Sequence, residues 1–292
     1  MRKQFVKSMK EILYSDSDSV LLLGDIGVFG FREEISNIPN RAYNIGILEQ
    51  STISLAAGMS RMGLKPFVHT IAPFMVERAL EQLKTDFGYQ KLCGNFISVG
   101  ASYDYAGLGC THHCPGDIQA LLSIPNMQIC IPGSSGELDH LLKENYKKSL
   151  PTYYRLSEHE NKDTHICANG KFSLIKKGEK ALIICFGNLL DSVIESVNDM
   201  NVTLLYSNTI SPFDGQSLID NFNENIIICE PFYEGSTNFL ITKSLEGFNY
   251  KIFNIGVPRA FLYNYGDKNE HDIKYGLDSF GIRNRIKECL KL

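Results

Sequence analysis

Asn44-Ile45-Gly46-Ile47-Leu48-Glu49-Gln50 sets one carboxylate in a run of apolar and small residues, at the point where a loop passes into a helix. Over the following turns Ile53, Ala56 and Ala57, with Ser60 further on, recur at helical spacing. Gln50 to Arg61 therefore reads as an amphipathic helix that carries Glu49 toward the interior. A buried carboxyl group resists ionisation and is a candidate to share a proton with a ring nitrogen. A glutamate in a helix's first turn also complements the helix dipole, so the residues immediately around Glu49 leave a structural role open.

Working outward, short apolar runs alternate with helical stretches. Val20 to Leu23, Pro66 to Ile71, Phe96 to Val99, Met127 to Ile131 and Thr152 to Leu156 read as buried strands. A helical stretch lies between Phe74 and Gly88, and a second begins at Ser134-Ser135-Gly136-Glu137, which has capping-box spacing. The segment Ser157 to Gly170, with Glu158-His159-Glu160-Asn161-Lys162-Asp163, is polar and non-periodic and reads as a linker. The pattern then restarts with strands at Ala181 to Phe186, Val202 to Tyr206, Ile226 to Cys229 and Ile252 to Ile255. The expectation is an α/β protein of two consecutive domains, 1–160 and 161–292, with mainly parallel sheets. In open sheets of this kind ligands bind beyond the carboxyl ends of the strands, where Asp25, His69 and Gly100 fall.

Composition narrows the class. The 292 residues are 43% hydrophobic and 21% charged, with a net charge of -4 and no Lys/Arg stripe, which argues against nucleic acid. No run approaches the roughly 20 apolar residues of a membrane span, and the amino terminus lacks a secretory apolar core, so a cytoplasmic location is expected. The eight scattered cysteines do not form a disulfide framework. Cys110-Thr111-His112-His113-Cys114 crowds four potential metal ligands, but zinc sites need a second ligand pair, and free thiols beside a working histidine are the preferred reading.

Asn44 to Met59, with Gly46-Ile47-Leu48-Glu49-Gln50 and Ala56-Ala57-Gly58-Met59, resembles the pyrimidine-binding domain of transketolases, thiamine diphosphate enzymes that move two-carbon ketol units. The resemblance continues in order through Pro66-Phe67-Val68-His69-Thr70-Ile71-Ala72-Pro73-Phe74, the segment Gly107 to His112, Ser123-Ile124-Pro125-Asn126-Met127 and Ile131-Pro132-Gly133. Ile210-Ser211-Pro212-Phe213-Asp214, Cys229-Glu230-Pro231 with Gly235, and Ile255-Gly256-Val257-Pro258 resemble successive pieces of the transketolase carboxy-terminal domain. Each piece alone is weak; their shared order carries the resemblance.

The resemblance implies that Glu49 hydrogen-bonds the cofactor's aminopyrimidine ring and shares a proton with it, the reactive chemistry belonging to the cofactor. It implies cofactor contacts for Phe74, Ile47, Asp25 and Ile71, with Ile71 standing where relatives carry a second aromatic residue. His112 matches the histidine that faces substrate hydroxyl groups, and His113, His69 and Arg155 are further candidate substrate contacts. Structural alternatives compete throughout: core packing for Phe74 and Ile47, a strand-end turn for Asp25 and His69, and a backbone hydrogen bond for His112.

Transketolases bind the diphosphate and its metal through a separate domain with a Gly-Asp-Gly stretch, which is not found here. The resemblance thus implies one subunit of a split transketolase, with an N-terminal transketolase subunit as partner in an alpha2beta2 assembly. That partner would hold most of the ligands of a magnesium or calcium ion. Three departures concern substrate: Leu108 replaces a carboxylate that senses an acceptor hydroxyl, Glu158 stands at the phosphate-binding arginine, and Phe29 stands at a serine. They imply an unphosphorylated or modified sugar acceptor. Two alternatives are a 2-oxo acid dehydrogenase beta subunit and a non-catalytic binding subunit.

Overall fold

The computed structural model describes residues 1–291; the last residue of the expected second domain lies outside the described residues. The strands are β1 Ser19–Leu23, β2 Ala42–Asn44, β3 Lys65–Ile71, β4 Gly94–Val99, β5 Gln128–Cys130, β6 Pro151–Arg155, β7 Ser173–Lys176, β8 Leu182–Phe186, β9 Thr203–Ser207, β10 Thr209–Ser211, β11 Asn225–Tyr233 and β12 Lys251–Val257. They form a seven-stranded sheet in the order β10-β5-β6-β4-β3-β1-β2 and a five-stranded sheet in the order β12-β11-β8-β9-β7. Among these strands of the described residues, β10 against β5 and β7 against β9 run antiparallel and the other pairs parallel.

Burial of both faces explains the continuous apolar runs. Successive side chains alternate across the first sheet: Val20, Leu22, Val68 and Phe96 pack with Ile53, Ala56 and Met75 on one face, and Leu21, Leu23, Phe67 and Ile97 pack with Phe5, Met9 and Leu138 on the other. Phe5, Met9, Ile12 and Leu13 project from helix Arg2–Ser15, which the run of apolar strands does not announce. Ile184, Phe186, Ile228 and Phe232 of the second sheet belong to the same core as Val20 and Val68, so apolar packing runs without a break between the sheets.

Two local expectations change, and one new strand crosses between the halves. The stretch from Phe74 to Gly88 is not one helix but Ala72–Val76, Leu80–Gln82 and a π-helical turn Leu83–Gly88. Ser134 caps helix Ser135–Asn145 through the Glu137 amide, but the Glu137 carboxylate accepts from the Gly133 amide at 2.8 Å and from the Tyr206 hydroxyl at 2.7 Å. The reciprocal box is traded for a tie between the halves. Thr209–Ser211 leaves the second half to pair with Cys130 and Ile129 at the edge of the first sheet.

A buried ion pair strengthens the seam. Arg155 Nε donates to Asp117 Oδ2 at 2.7 Å and its Nη2 to Ser102 Oγ at 2.7 Å, while the Ser102 hydroxyl donates to the Pro231 carbonyl. Among the described residues no helix is long and apolar enough to cross a membrane, no group of three or more His, Cys, Asp and Glu is placed to hold a metal ion, and the eight cysteines are free thiols.

Candidate active site

The loops leaving β1, β2, β3 and β4 gather at one edge of the first sheet, and the parallel register puts their starts side by side, Leu23 opposite both Asn44 and His69. Asp25 follows β1 at φ 58°, in the left-handed region that Asp tolerates. Its amide donates to Asn44 Oδ1 and the Asn44 amide group returns a bond to Asp25 Oδ1, both at 3.1 Å. This pair fixes the loop that delivers Glu49.

Glu49 is the first residue of helix Glu49–Arg61, whose buried positions Glu49, Thr52, Ile53, Ala56 and Ala57 form one stripe. Only 4% of the Glu49 surface is exposed. Oε2 accepts from Arg78 Nη1 at 2.8 Å; Oε1 is buried with no hydrogen-bond partner. Leaving a buried acceptor empty is costly, so this oxygen marks a place where a donor belongs.

The cluster extends from that carboxylate. The Arg78 guanidinium lies 4.2 Å over the Phe74 ring, Phe74 meets His112 edge-on at 5.4 Å between centroids, and Tyr105 meets His112 at 6.5 Å. His112 ends a short 3-10 turn, Cys110–His112, and its Nδ1 lies 3.0 Å from the Thr111 hydroxyl. Ile71 ends β3 beside Gly100, where a methyl group would sit 2.7 Å from the Tyr105 ring and 3.3 Å from the Ile71 side chain. Ile47 projects nearby with 63% of its surface exposed.

Three residues expected to contact substrate are not grouped with Glu49. His69 is fully buried, with Nδ1 2.9 Å from the Ile97 carbonyl oxygen and its ring 4.6 Å from Phe5. Burial lowers its pKa to about 4, the Ile97 hydrogen bond opposing the shift and Arg2 adding slightly to it. Arg155 is committed to Asp117 and Ser102 in the seam. His113 is buried against His271 of the second half, 5.8 Å between ring centroids, rather than beside Glu49. Burial lowers its pKa, His271 adds to the effect, and a hydrogen bond with the Ala106 backbone opposes it.

Arg78 and Tyr105 were missed by sequence reasoning. Arg78 lies four residues beyond Phe74, the spacing of one helical face, but helix Ala72–Val76 ends before it, so the bend after Val76 rather than helical periodicity brings it over the ring. Its flat guanidinium hydrogen-bonds Glu49 and covers Phe74 at once, which demonstrates that this carboxylate and ring together receive a planar donor. An aminopyrimidine has the same attributes. Glu49 and Phe74 fit that group.

Residues 1–162 match the family described as transketolase, pyrimidine binding domain. An uncharacterized 33.6 kDa protein in the fasciation locus of Rhodococcoides fascians is 34% identical over 98% of this chain and 93% of its own length. One of the subunits of the apulose-4-phosphate transketolase of Phocaeicola vulgatus is 26% identical over 99% of this chain and 97% of its own. This chain spans only 42% of the 1-deoxy-D-xylulose-5-phosphate synthase of Pseudoalteromonas translucida, which is 29% identical over 85% of this chain. In fold, a structure described as a split gene transketolase, inactive beta4 tetramer, superimposes with a TM-score of 0.87 at 21% identity, covering 100% of this chain and 98% of that one. Sequence order, sheet topology and the carboxylate at the start of helix Glu49–Arg61 lead to one assignment: the chain belongs to the transketolase pyrimidine-binding-domain family.

Proposed function

We propose that this chain is the pyrimidine-binding subunit of a cytoplasmic, thiamine diphosphate-dependent transferase that passes a two-carbon ketol unit to an unphosphorylated or modified sugar aldehyde. The observation that carries the reading is the buried, unpartnered Oε1 of Glu49 beside an aromatic ring already covered by a flat donor. When bound, thiamine diphosphate supplies the nucleophilic carbon and the electron sink for carbon–carbon cleavage.

The chain's own residues do the rest. Glu49 shares a proton between Oε1 and a pyrimidine ring nitrogen, so that the ring N–H fills the empty acceptor, and Phe74, with apolar support from Ile71 and Ile47, fixes the ring's plane. Arg78 vacates the Phe74 face and turns to solvent, which its 41% side-chain exposure permits. Asp25 and Asn44 brace the loop before Glu49. His112, on the other side of Phe74, orients substrate hydroxyl groups and moves protons there.

The diphosphate and its magnesium or calcium ion are held mainly by a second chain in an alpha2beta2 assembly. Support comes from the Phocaeicola vulgatus relative, itself named as one subunit of a transketolase, which this chain matches almost end to end. The division into 1–160 and 161–292 follows the same reading, with Thr209–Ser211 reaching back across it. Co-purification with the product of an adjacent reading frame, then thiamine diphosphate titration of each chain and of the complex, is the test. Tight binding by this chain alone would contradict the split site, and carbon dioxide release from a 2-oxo acid in place of ketol exchange would contradict the reaction.

A further inference from the structure

Beside the Glu49 cluster a cavity of about 90 Å³ separates the 110–115 segment from the second half of the chain. Glu77, Cys110 and His113 line one wall, and Tyr233, Phe261 and Leu262 the other. It adjoins the site on two sides, since Glu77 precedes the Glu49 partner Arg78 and Cys110 shares its turn with His112.

Its polar groups suit hydroxyls. His113 is 6% exposed and its buried Nε2 has no partner. The ring bonds the Ala106 backbone through its other nitrogen, so the neutral imidazole presents the Nε2 lone pair as an acceptor. Phe261, 66% exposed, and Tyr233 also line the cleft, and aromatic rings pack on sugar C–H surfaces.

The charges do not suit phosphate. The lining acid is Glu77, and burial raises its pKa, the Cys114 thiol hydrogen bond opposing and Asp117 acting in the same direction as burial; in either protonation state it offers no cation to a phosphate, and when ionised it repels one. Of the two guanidinium groups at the border, Arg259 is committed to the Glu234 carbonyl at 3.1 Å and Gln119 Oε1 at 2.7 Å, and Arg78 pairs with Glu49 until the pyrimidine displaces it toward solvent. The volume equals roughly three waters, enough for a terminal carbinol and hydroxymethyl group.

We infer that this cleft seats the far, hydroxyl-bearing end of a neutral aldose acceptor, with His113 Nε2 accepting from a substrate hydroxyl and Glu77 excluding phosphate. The inference rests on the ketol-transfer reading, but its occupancy can be read without turnover. Cys110 is the exposed cysteine among the described residues, so its alkylation by iodoacetamide, followed by peptide mass spectrometry on the full chain, reports whether the cleft is filled.

D-ribose at about twice its dissociation constant slows Cys110 alkylation about threefold, and D-ribose 5-phosphate at the same concentration does not. Glu77→Arg reverses this preference, and the milder Glu77→Gln narrows it. In the reconstituted complex, kcat/KM for glyceraldehyde exceeds that for glyceraldehyde 3-phosphate by at least about tenfold, like-charge repulsion opposing the latter. Equal or better protection by ribose 5-phosphate, or a reversed kcat/KM ratio, overturns the inference. Selective protection in a chain whose complex binds no thiamine diphosphate would sustain the cleft while sinking the ketol-transfer reading.

Discussion

Replacing Glu49 with glutamine separates function from stability in a way the structure quantifies. The substitution keeps the side chain's shape and removes its charge, so the Oε2 contact with Arg78 at 2.8 Å loses its ionic character. A charge-assisted bond contributes about 1.5–3 kcal/mol when desolvated. Here the arginine side chain is 41% exposed and water replaces its partner, which brings the loss down to the exposed-pair range of about 0–1 kcal/mol. Differential scanning calorimetry of the Glu49→Gln chain should therefore show a melting midpoint within about 2–4 °C of the wild type. The glutamine amide cannot share a proton with a ring nitrogen as a carboxyl group does, and loss of positioned proton transfer lowers turnover about 10²–10⁴-fold. That factor corresponds to about 2.7–5.5 kcal/mol in the barrier. The assay is ketol transfer by the reconstituted complex, with circular dichroism confirming an unchanged fold. Turnover within about threefold of wild type would refute the role given to Glu49, and a melting midpoint lower by more than about 10 °C would return the residue to a structural one.

Three further outcomes are expected. His69 has an unfolded pKa of 6.5 and a folded pKa lowered to about 4, so its stabilising contribution is complete above the unfolded value and is lost as pH falls toward the folded one. Urea unfolding at pH 5 should show about 2 kcal/mol less stability from this group than at pH 7.5, and His69→Gln should flatten that difference. Arg155→Met leaves the Asp117 carboxylate buried without its cation and should cost about 3–5 kcal/mol, much of it recovered by adding Asp117→Leu; an anionic substrate role for Arg155 predicts instead a raised KM with unchanged stability. Gly100→Ala imposes a side chain at φ +78° and 2.7 Å from the Tyr105 ring, costing about 1–2 kcal/mol in backbone strain alone. Isothermal titration of the reconstituted complex should then show weaker thiamine diphosphate binding, because Ile71 and Tyr105 shift together.

Much of the architecture was legible because parallel strands buried on both faces must be apolar almost throughout. Val20 to Leu23 and Ala181 to Phe186 announce themselves for that reason, and β8 is Leu182–Phe186. Short, polar or edge strands carry no such mark: Ala42–Asn44, Ser173–Lys176 and Thr209–Ser211 are held by a neighbour's backbone rather than by their own pattern. The break after Val76 was hidden because an interrupted helix has nearly the same apolar spacing as a continuous one.

The sequence by itself determined the alternation of strand and helix, the fold class, and the position of Glu49 at the mouth of a loop, since these follow from local periodicity and from the order of short motifs. Which side chains face one another was decided only by tertiary structure. Asp25 and Asn44 are 19 positions apart and meet because parallel strands align their carboxyl ends. Arg155 and Asp117 are 38 apart, and their mutual commitment withdraws the arginine from any open site. Side-chain partnership depends on where the backbone returns, and local sequence pattern does not record the return.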